Sequence, residues 1–116
     1  MPSRFPPVDT ASPEGLLAIG GELNLETLKE AYCLGIFPWP ISKDSPLTWF
    51  SPDPRGVLKI SDFHVPKSFA KFLSKNNFQI KYKTSFREVV EYCATMKSKH
   101  EKGTWISQEI NEGYNV

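Results

Sequence analysis

The segment Gly35-Ile36-Phe37-Pro38-Trp39 is followed ten residues later by Trp49-Phe50-Ser51-Pro52-Asp53-Pro54-Arg55, and this stretch decides the character of the fold. Two of the three tryptophans and five of the ten prolines lie between residues 35 and 55. Because proline fixes φ and removes a backbone donor, we expect this stretch to be mostly loop, with a backbone stiffened by the proline rings. Rigid aromatic faces on loops are typical of a site for a planar or apolar ligand.

The composition predicts one domain with a modest core, since 40% of the 116 residues are apolar. The net charge is only +1, but residues 1–55 sum to −3 and residues 56–116 to +4. A basic second half indicates an anionic partner such as nucleic acid, and a solvated lysine face explains it equally well. The chain has no apolar run of about 20 residues and no signal peptide, so we expect a soluble, cytoplasmic protein.

The two cysteines, Cys33 and Cys93, fall inside helical patterns and share no metal-ligand spacing with a histidine. We therefore predict that both are reduced and packed, and we expect no metal site.

The proline-rich first part contains one helical pattern. Asn24 is a good N-cap, apolar residues recur from Leu25 to Tyr32, and Gly35 suits the position after the helix. The glycine-bounded apolar run at residues 15–21 fits either a buried strand or a tight apolar turn, and its glycines lack the spacing of a phosphate-binding loop.

The second part carries more regular patterns. Residues 57–60 and the alternating residues 78–83 are predicted as strands, and residues 66–75 as a helix beginning near Pro66. Ser85 and Glu88 form a capping-box pattern that opens another helix, which becomes polar from Lys97 to Lys102. Ser107 is predicted to cap a helix that begins near Gln108.

Lys67, Lys71 and Lys75 recur every four residues and therefore lie on one face of their predicted helix. Three like charges at this spacing slightly destabilise an isolated helix. Two interpretations remain open: a solvated surface stripe, or a stripe that binds phosphates.

These patterns predict an α/β (α+β) fold, namely a small N-terminal domain with a short, mixed but mostly antiparallel sheet and about three helices. Ile110, Tyr114 and Val116 continue an apolar spacing to the last residue, so we expect a fragment of a longer protein.

The chain resembles the leucyl/phenylalanyl-tRNA–protein transferases of bacteria in its motifs at residues 5–7, 15–23, 31–32, 35–39, 49–55 and 103–106. The strings GIFPW, SPDPR and GTWI, in this order and at these separations, are together specific. The resemblance runs over essentially the whole chain. It implies that residues 1–103 are the N-terminal domain and residues 104–116 the first segment of an acetyltransferase-like (GNAT-like) domain.

The resemblance implies an activity. Such enzymes move leucine or phenylalanine, and less readily methionine, from an aminoacyl-tRNA to the N-terminal arginine or lysine of a protein. The product enters the bacterial N-degron pathway. The resemblance implies no cofactor, no membrane partner and a monomer.

The resemblance also assigns site residues. Trp39, Trp105 and Tyr114 would contact the terminal adenosine and the aminoacyl ester, and the stripe Lys67, Lys71 and Lys75 would bind tRNA phosphates. Trp49 and Phe50 are expected in the core, where most tryptophans pack. The catalytic groups of the family lie in its second domain, so no catalytic residue is expected here and this chain alone should be inactive.

Two alternatives belong to other classes. One is a non-catalytic module that binds RNA or a proline-rich peptide through the aromatic segment. The other is a structural domain whose aromatic residues are all core, which leaves the lysine stripe unexplained.

Overall fold

The structure is a computed structural model that describes residues 2–42, 44–96 and 103–116. The chain forms two compact units, one of Met1–Asp53 with Ser85–Val116 and the other of Pro54–Thr84. The described residues contain three strands, β1 (Leu16–Ile19), β2 (Phe37–Pro38) and β3 (Thr48–Phe50). They also contain four α-helices, α1 (Leu25–Cys33), α2 (Lys67–Lys75), α3 (Phe86–Thr95) and α4 (Gln108–Tyr114). Two short 3-10 turns lie at Val8–Thr10 and Ile60–Asp62.

The three strands form one antiparallel sheet with β3 in the centre and the order β1-β3-β2. Ala18 pairs with Trp49 on one side of β3, and Pro38 pairs with the same residue on the other side. Of the two alternatives for the apolar run at residues 15–21, the strand is therefore correct for Leu16–Ile19, although this strand is half-buried rather than buried and Ile19 is exposed. The predicted short, mostly antiparallel sheet is confirmed, and so are three predicted helices and the further helix predicted near Gln108.

Helix α1 begins and ends as its sequence predicts. The Thr27 N–H donates to the Asn24 side chain at 2.9 Å, which satisfies one of the free donors of the first turn. Gly35 follows the helix with φ of 73°, a conformation that glycine adopts without the steric cost of a Cβ atom.

Trp49 is the centre of the core and is only 1% exposed. Its indole N–H donates to the Gly20 carbonyl at 3.0 Å, and its ring meets the Phe5 ring edge to face with centroids 4.9 Å apart. Residues Phe5, Leu28, Ala31, Ile36 and Leu47 complete this cluster. The core role expected for Trp49 is confirmed, while Phe50 is half-buried.

Gly15 connects the SPDPR motif to β1. The Ser51 N–H donates to the Gly15 carbonyl at 2.8 Å, and Gly15 has φ of 93°. A Cβ atom here would lie 2.9 Å from the Pro52 Cα, so both the conformation and the close approach require glycine.

Helix α4 packs against the N-terminal core at Gly113. Ser107 accepts a hydrogen bond from the Ile110 N–H at 3.2 Å, as its predicted capping role requires, and Ile110 is 2% exposed. A Cβ atom on Gly113 would lie 2.5 Å from the Leu23 Cδ2 and 3.2 Å from the Leu23 carbonyl oxygen, so the Leu23 side chain would have to shift to admit it.

We therefore expect Gly113→Ala to lower the free energy of unfolding by up to about 2 kcal/mol. Overpacking costs about 1–3 kcal/mol, and the better helix propensity of alanine offsets about 1 kcal/mol of that cost. Urea denaturation measures the change. On a Leu23→Ala background the same substitution should cost nothing, and an equal cost on both backgrounds would contradict the proposed contact.

Four predictions from sequence are wrong in detail. Residues 57–60 and 78–83 form no strand, and Val57 and Phe78 are 79% and 83% exposed. A strand needs a neighbour for its backbone groups, and within the described residues neither segment has one. Ser85 takes the N-cap position of α3 without a side-chain capping bond. Both cysteines are free, as predicted, but they are exposed rather than packed.

Helix α2 follows Pro66 as predicted, with Pro66 in the N-cap position. The polar stretch predicted from Lys97 to Lys102 lies outside the described residues. In the part of the chain that the structure describes, no helix combines the length and apolar character needed to cross a bilayer.

Candidate functional site

Trp39 follows β2 directly and is fixed to the central strand through its main chain. Its N–H donates to the Thr48 carbonyl at 2.9 Å, and its own carbonyl accepts from the Thr48 hydroxyl. Thr48 is 2% exposed, whereas the Trp39 side chain is 44% exposed. The backbone of Trp39 is therefore held by a buried residue while its indole reaches solvent.

Trp105 lies just before α4, in the GTWI motif. Its carbonyl accepts from the Ser107 N–H at 3.0 Å, and Ser107 in turn caps the helix. Ile110, in the first turn of α4, is buried and therefore holds this end of the helix in place. Because Ser107 is bonded both to Ile110 and to the Trp105 carbonyl, it ties the segment that carries Trp105 to the helix.

The two indoles stack on each other. Their ring centroids lie 5.2 Å apart and their planes meet at 13°, the offset parallel arrangement that aromatic pairs favour. Trp105 is 38% exposed, so the pair presents aromatic surface to solvent. The structure thus brings together two site residues that were predicted from separate motifs.

The pair lines a cleft of about 730 Å³. The other described lining residues are small, polar or aliphatic and none carries a charge: Pro40, Ile41, Ser42, Gly103, Thr104, Ile106, Ser107 and Gln108. Neutral hydroxyl and amide groups beside flat rings suit a planar, uncharged group that also makes hydrogen bonds. The described lining contains no side chain able to act as a general acid or base near neutral pH.

Tyr114, the third residue predicted at the adenosine, lines a different groove. Its hydroxyl lies 2.6 Å from the Tyr32 hydroxyl, and the two rings meet edge to face. This open groove of about 330 Å³ is otherwise lined mainly by apolar side chains from α1 and the end of the chain: Leu25, Leu28, Lys29, Gly113 and Val116. Tyr114 is not among the residues that line the tryptophan cleft.

Burial raises the pKa of Tyr114, and the hydrogen bond to Tyr32 raises it further. A raised pKa means that the folded protein holds the phenol proton more tightly than the unfolded chain does. The stability that this proton contributes is complete below the ordinary tyrosine pKa of about 10 and is lost as pH rises through the folded value.

We therefore expect Tyr114→Phe to flatten the loss of stability above about pH 10. The measurement is the free energy of unfolding by urea at a series of pH values from neutral to alkaline. Tyr92→Phe, at an exposed tyrosine of α3, is the control. If both variants keep the alkaline decline of the parent, the Tyr32–Tyr114 contact does not hold this proton.

The three predicted phosphate-binding lysines lie on α2, in the unit Pro54–Thr84, and all are exposed. They span about 12 Å along one face of the helix. On the same helix the rings of Phe69 and Phe72 stack, with centroids 6.4 Å apart and planes at 15°. This unit carries seven basic side chains and one acidic side chain, a net charge of +6, whereas the remainder of the chain sums to −5.

Two partners of the site residues were missed from the sequence. Thr48 looks like an ordinary strand residue beside Trp49, and no local pattern indicates that its hydroxyl reaches Trp39. The Tyr32–Tyr114 pair joins residues 82 positions apart in the chain, and no sequence pattern links them. Pairing of this kind depends on tertiary structure rather than on spacing.

Comparisons with known proteins agree with the motifs. The sequence model of the leucyl/phenylalanyl-tRNA protein transferase matches residues 57–116, and that of its N-terminal domain matches residues 21–53. A leucyl/phenylalanyl-tRNA–protein transferase of Flavobacterium johnsoniae is 46% identical over 110 residues, which is 95% of this chain and 51% of that protein. One of Lawsonia intracellularis is 43% identical over 113 residues, 97% of this chain and 49% of that protein.

The chain thus spans about half the length of the curated relatives that it matches. The first of the two family matches alone covers 60 of the 116 residues. The chain belongs to the leucyl/phenylalanyl-tRNA protein transferase family.

Proposed function

We propose that this chain is part of an aminoacyltransferase that takes leucine or phenylalanine, and less readily methionine, from an aminoacyl-tRNA. The acceptor is the α-amino group of a protein that begins with arginine or lysine, and the product is marked for degradation. The observation that carries this proposal is the stacked pair Trp39–Trp105 in a cleft whose described lining carries no charge, in a chain of this family.

The end of an aminoacyl-tRNA fits the chemistry of that cleft. Its terminal adenine is planar and uncharged, and stacking a base on an aromatic side chain contributes about 1–3 kcal/mol. Ser42, Thr104 and Gln108 lie among the lining residues. The Thr104 hydroxyl accepts from the Ile106 N–H at 3.2 Å and keeps its own O–H to donate, and the Gln108 amide donates to the Glu112 carboxylate at 2.9 Å and keeps its carbonyl oxygen to accept. We propose that these groups and the Ser42 hydroxyl meet the edge of the base or the ribose. Tyr114, in its separate groove, is proposed to act on the same end of the tRNA.

The lysines of α2 are proposed to bind the phosphate backbone of the tRNA. Their unit has a net charge of +6, which attracts a polyanion without regard to its base sequence. An ammonium group supplies a point charge rather than the bidentate geometry of arginine, so these contacts position the tRNA and do not select it.

The reaction forms an amide bond and breaks an ester bond. The acceptor nitrogen, once deprotonated, attacks the carbonyl carbon of the aminoacyl ester, and the ribose oxygen leaves and takes up a proton. The oxyanion that develops needs donors aimed at it. We assign none of these roles to residues of this chain, and we propose that they belong to the acetyltransferase-like part of the family fold, with residues 104–116 as its first segment.

The activated ester supplies the driving force, so the proposed reaction uses no metal and no organic cofactor. We place it in the cytoplasm, where charged tRNA and newly exposed protein N-termini are found together, and we propose that the enzyme acts as a monomer.

The test is a transfer assay with the full-length protein, leucyl-tRNA carrying labelled leucine, and peptides that differ only in their first residue. Label is expected on peptides beginning with arginine or lysine and not on the same peptides with alanine or an acetylated N-terminus. Retention of tRNA binding without transfer to any peptide would favour the non-catalytic RNA-binding alternative.

A further inference from the structure

We propose that Thr48 is a positioning residue for Trp39: its side-chain hydroxyl fixes the main chain of Trp39 and thereby sets the stacked indole pair. This inference rests on the proposed function only for its effect on tRNA. Thr48 is not among the described residues that line the cleft, so it can affect the cleft only by holding Trp39.

The sequence around Trp39 leaves few ways to attach this segment to the sheet. Pro38 and Pro40 flank Trp39, and neither has a backbone N–H. Trp39 therefore offers the only main-chain donor among these three residues. That donor goes to the Thr48 carbonyl at 2.9 Å, and the Trp39 carbonyl accepts from the Thr48 hydroxyl. Both hydrogen bonds of the Trp39 main chain thus end on one residue.

Thr48 is well placed to hold a neighbour because it is itself fixed. It is 2% exposed and lies in the central strand beside Trp49, whose indole is bonded to the Gly20 carbonyl. Among the described residues, no buried side-chain polar atom lacks a hydrogen-bond partner. The partner of the Thr48 hydroxyl is the Trp39 carbonyl. The bond is part-buried, and removing the hydroxyl would take this donor from the Trp39 carbonyl.

The arrangement of the Trp39–Trp105 pair depends on how each indole is held. Trp105 is fixed independently through Ser107 and α4, so the ring position of Trp39 decides whether the two planes meet at 13°. Without the hydroxyl, the segment at residues 38–40 keeps one main-chain bond from Trp39 to β3 instead of two. The stack should then loosen while the core beneath it stays in place.

Thr48→Val and Thr48→Ser separate the hydroxyl from the shape of the side chain. Valine keeps the shape and the strand propensity of threonine but cannot donate, whereas serine keeps the donor and loses a methyl group. Should the valine variant not fold, Thr48→Ala and Thr48→Ser form a second pair, in which both lack the methyl group and only serine has the hydroxyl.

The first measurement is the exciton couplet of the stacked indoles in circular dichroism of the free protein, identified by its loss in Trp105→Phe. We expect Thr48→Val to lose most of the couplet and Thr48→Ser to keep it. An unchanged couplet in Thr48→Val overturns the proposal, and this result does not depend on any enzymatic activity.

The second measurement is the kinetics of leucine transfer by the full-length protein. We expect KM for leucyl-tRNA to rise about tenfold in Thr48→Val with kcat nearly unchanged, because looser positioning weakens binding alike in ground and transition states. Thr48→Ser should restore KM. A KM that stays at the parent value, or that serine does not restore, overturns the positioning role. If the parent itself transfers no leucine, the proposed function fails and the couplet alone decides the role of Thr48.

Discussion

Replacing Trp39 by alanine is expected to lower kcat/KM for leucine transfer by roughly tenfold to a hundredfold, which corresponds to the loss of one base-stacking contact. The indole is 44% exposed and contributes to a cleft rather than to the core. Its removal should therefore change the free energy of unfolding much less than it changes activity. Steady-state transfer from leucyl-tRNA and urea denaturation of the same preparation measure the two effects.

Two further variants make this expectation specific. Trp39→Phe keeps an aromatic face and should retain most of the activity, whereas alanine should not. Trp49→Phe removes the buried indole and its bond to the Gly20 carbonyl, so it should lose stability first. A Trp39→Ala protein that loses stability and activity in equal measure would show that Trp39 belongs to the core.

The parts of the fold that were predicted correctly depend on interactions between residues close together in the sequence. The caps of α1 and α4, Asn24 and Ser107, accept hydrogen bonds from the residue three positions on, so a short window of sequence contains the whole interaction. The predicted end of α1 at Gly35 is equally local, because it depends on the φ of one residue.

The two predicted strands are absent because alternation of apolar and polar residues indicates which side of a strand is buried but does not indicate a neighbouring strand. Residues 78–83 alternate as a half-buried strand should, yet alternation says nothing about which segment supplies the neighbouring hydrogen bonds. The same holds for residues 57–60. Both lie in the unit Pro54–Thr84, where none of the side chains is buried.

The error at Cys33 was avoidable from geometry. Thr27, Leu28 and Ala31 are the buried residues of α1, and a position two residues after Ala31 lies on the opposite side of a helix from it. Cys93 differs, because α3 has no buried residue and its apolar face meets no core among the described residues.

The sequence identified residues of the candidate site but not how they are arranged in space. Trp39 and Trp105 were named from motifs that resemble the family, but no spacing rule says that two indoles so far apart in sequence stack. The resemblance placed Tyr114 at the same end of the ligand, whereas it lies in a groove with Tyr32. Its contribution to tRNA binding stays a prediction.

Changing Lys67, Lys71 and Lys75 together to alanine is expected to weaken tRNA binding and to make its dependence on salt less steep. Each lysine that neutralises a phosphate releases counterions, so the slope of log K against log salt should become less negative by about 2 to 3. The variant cannot lose binding through an unstable helix. Alanine is the best helix former, and the substitution removes unfavourable like-charge pairs from α2. Filter binding of tRNA over a range of salt concentrations measures the slope.

Two controls decide whether the stripe or the overall charge is responsible. Lys59→Ala, Lys81→Ala and Arg87→Ala together remove the same charge from outside the stripe and should change the slope less. Arginine at all three positions of the stripe keeps the charge and should preserve the slope, since only the geometry of the phosphate contact changes. Equal slopes for the two alanine triples would mean that the tRNA responds to net charge, and an unchanged slope in the stripe variant would leave the lysines as a solvated face.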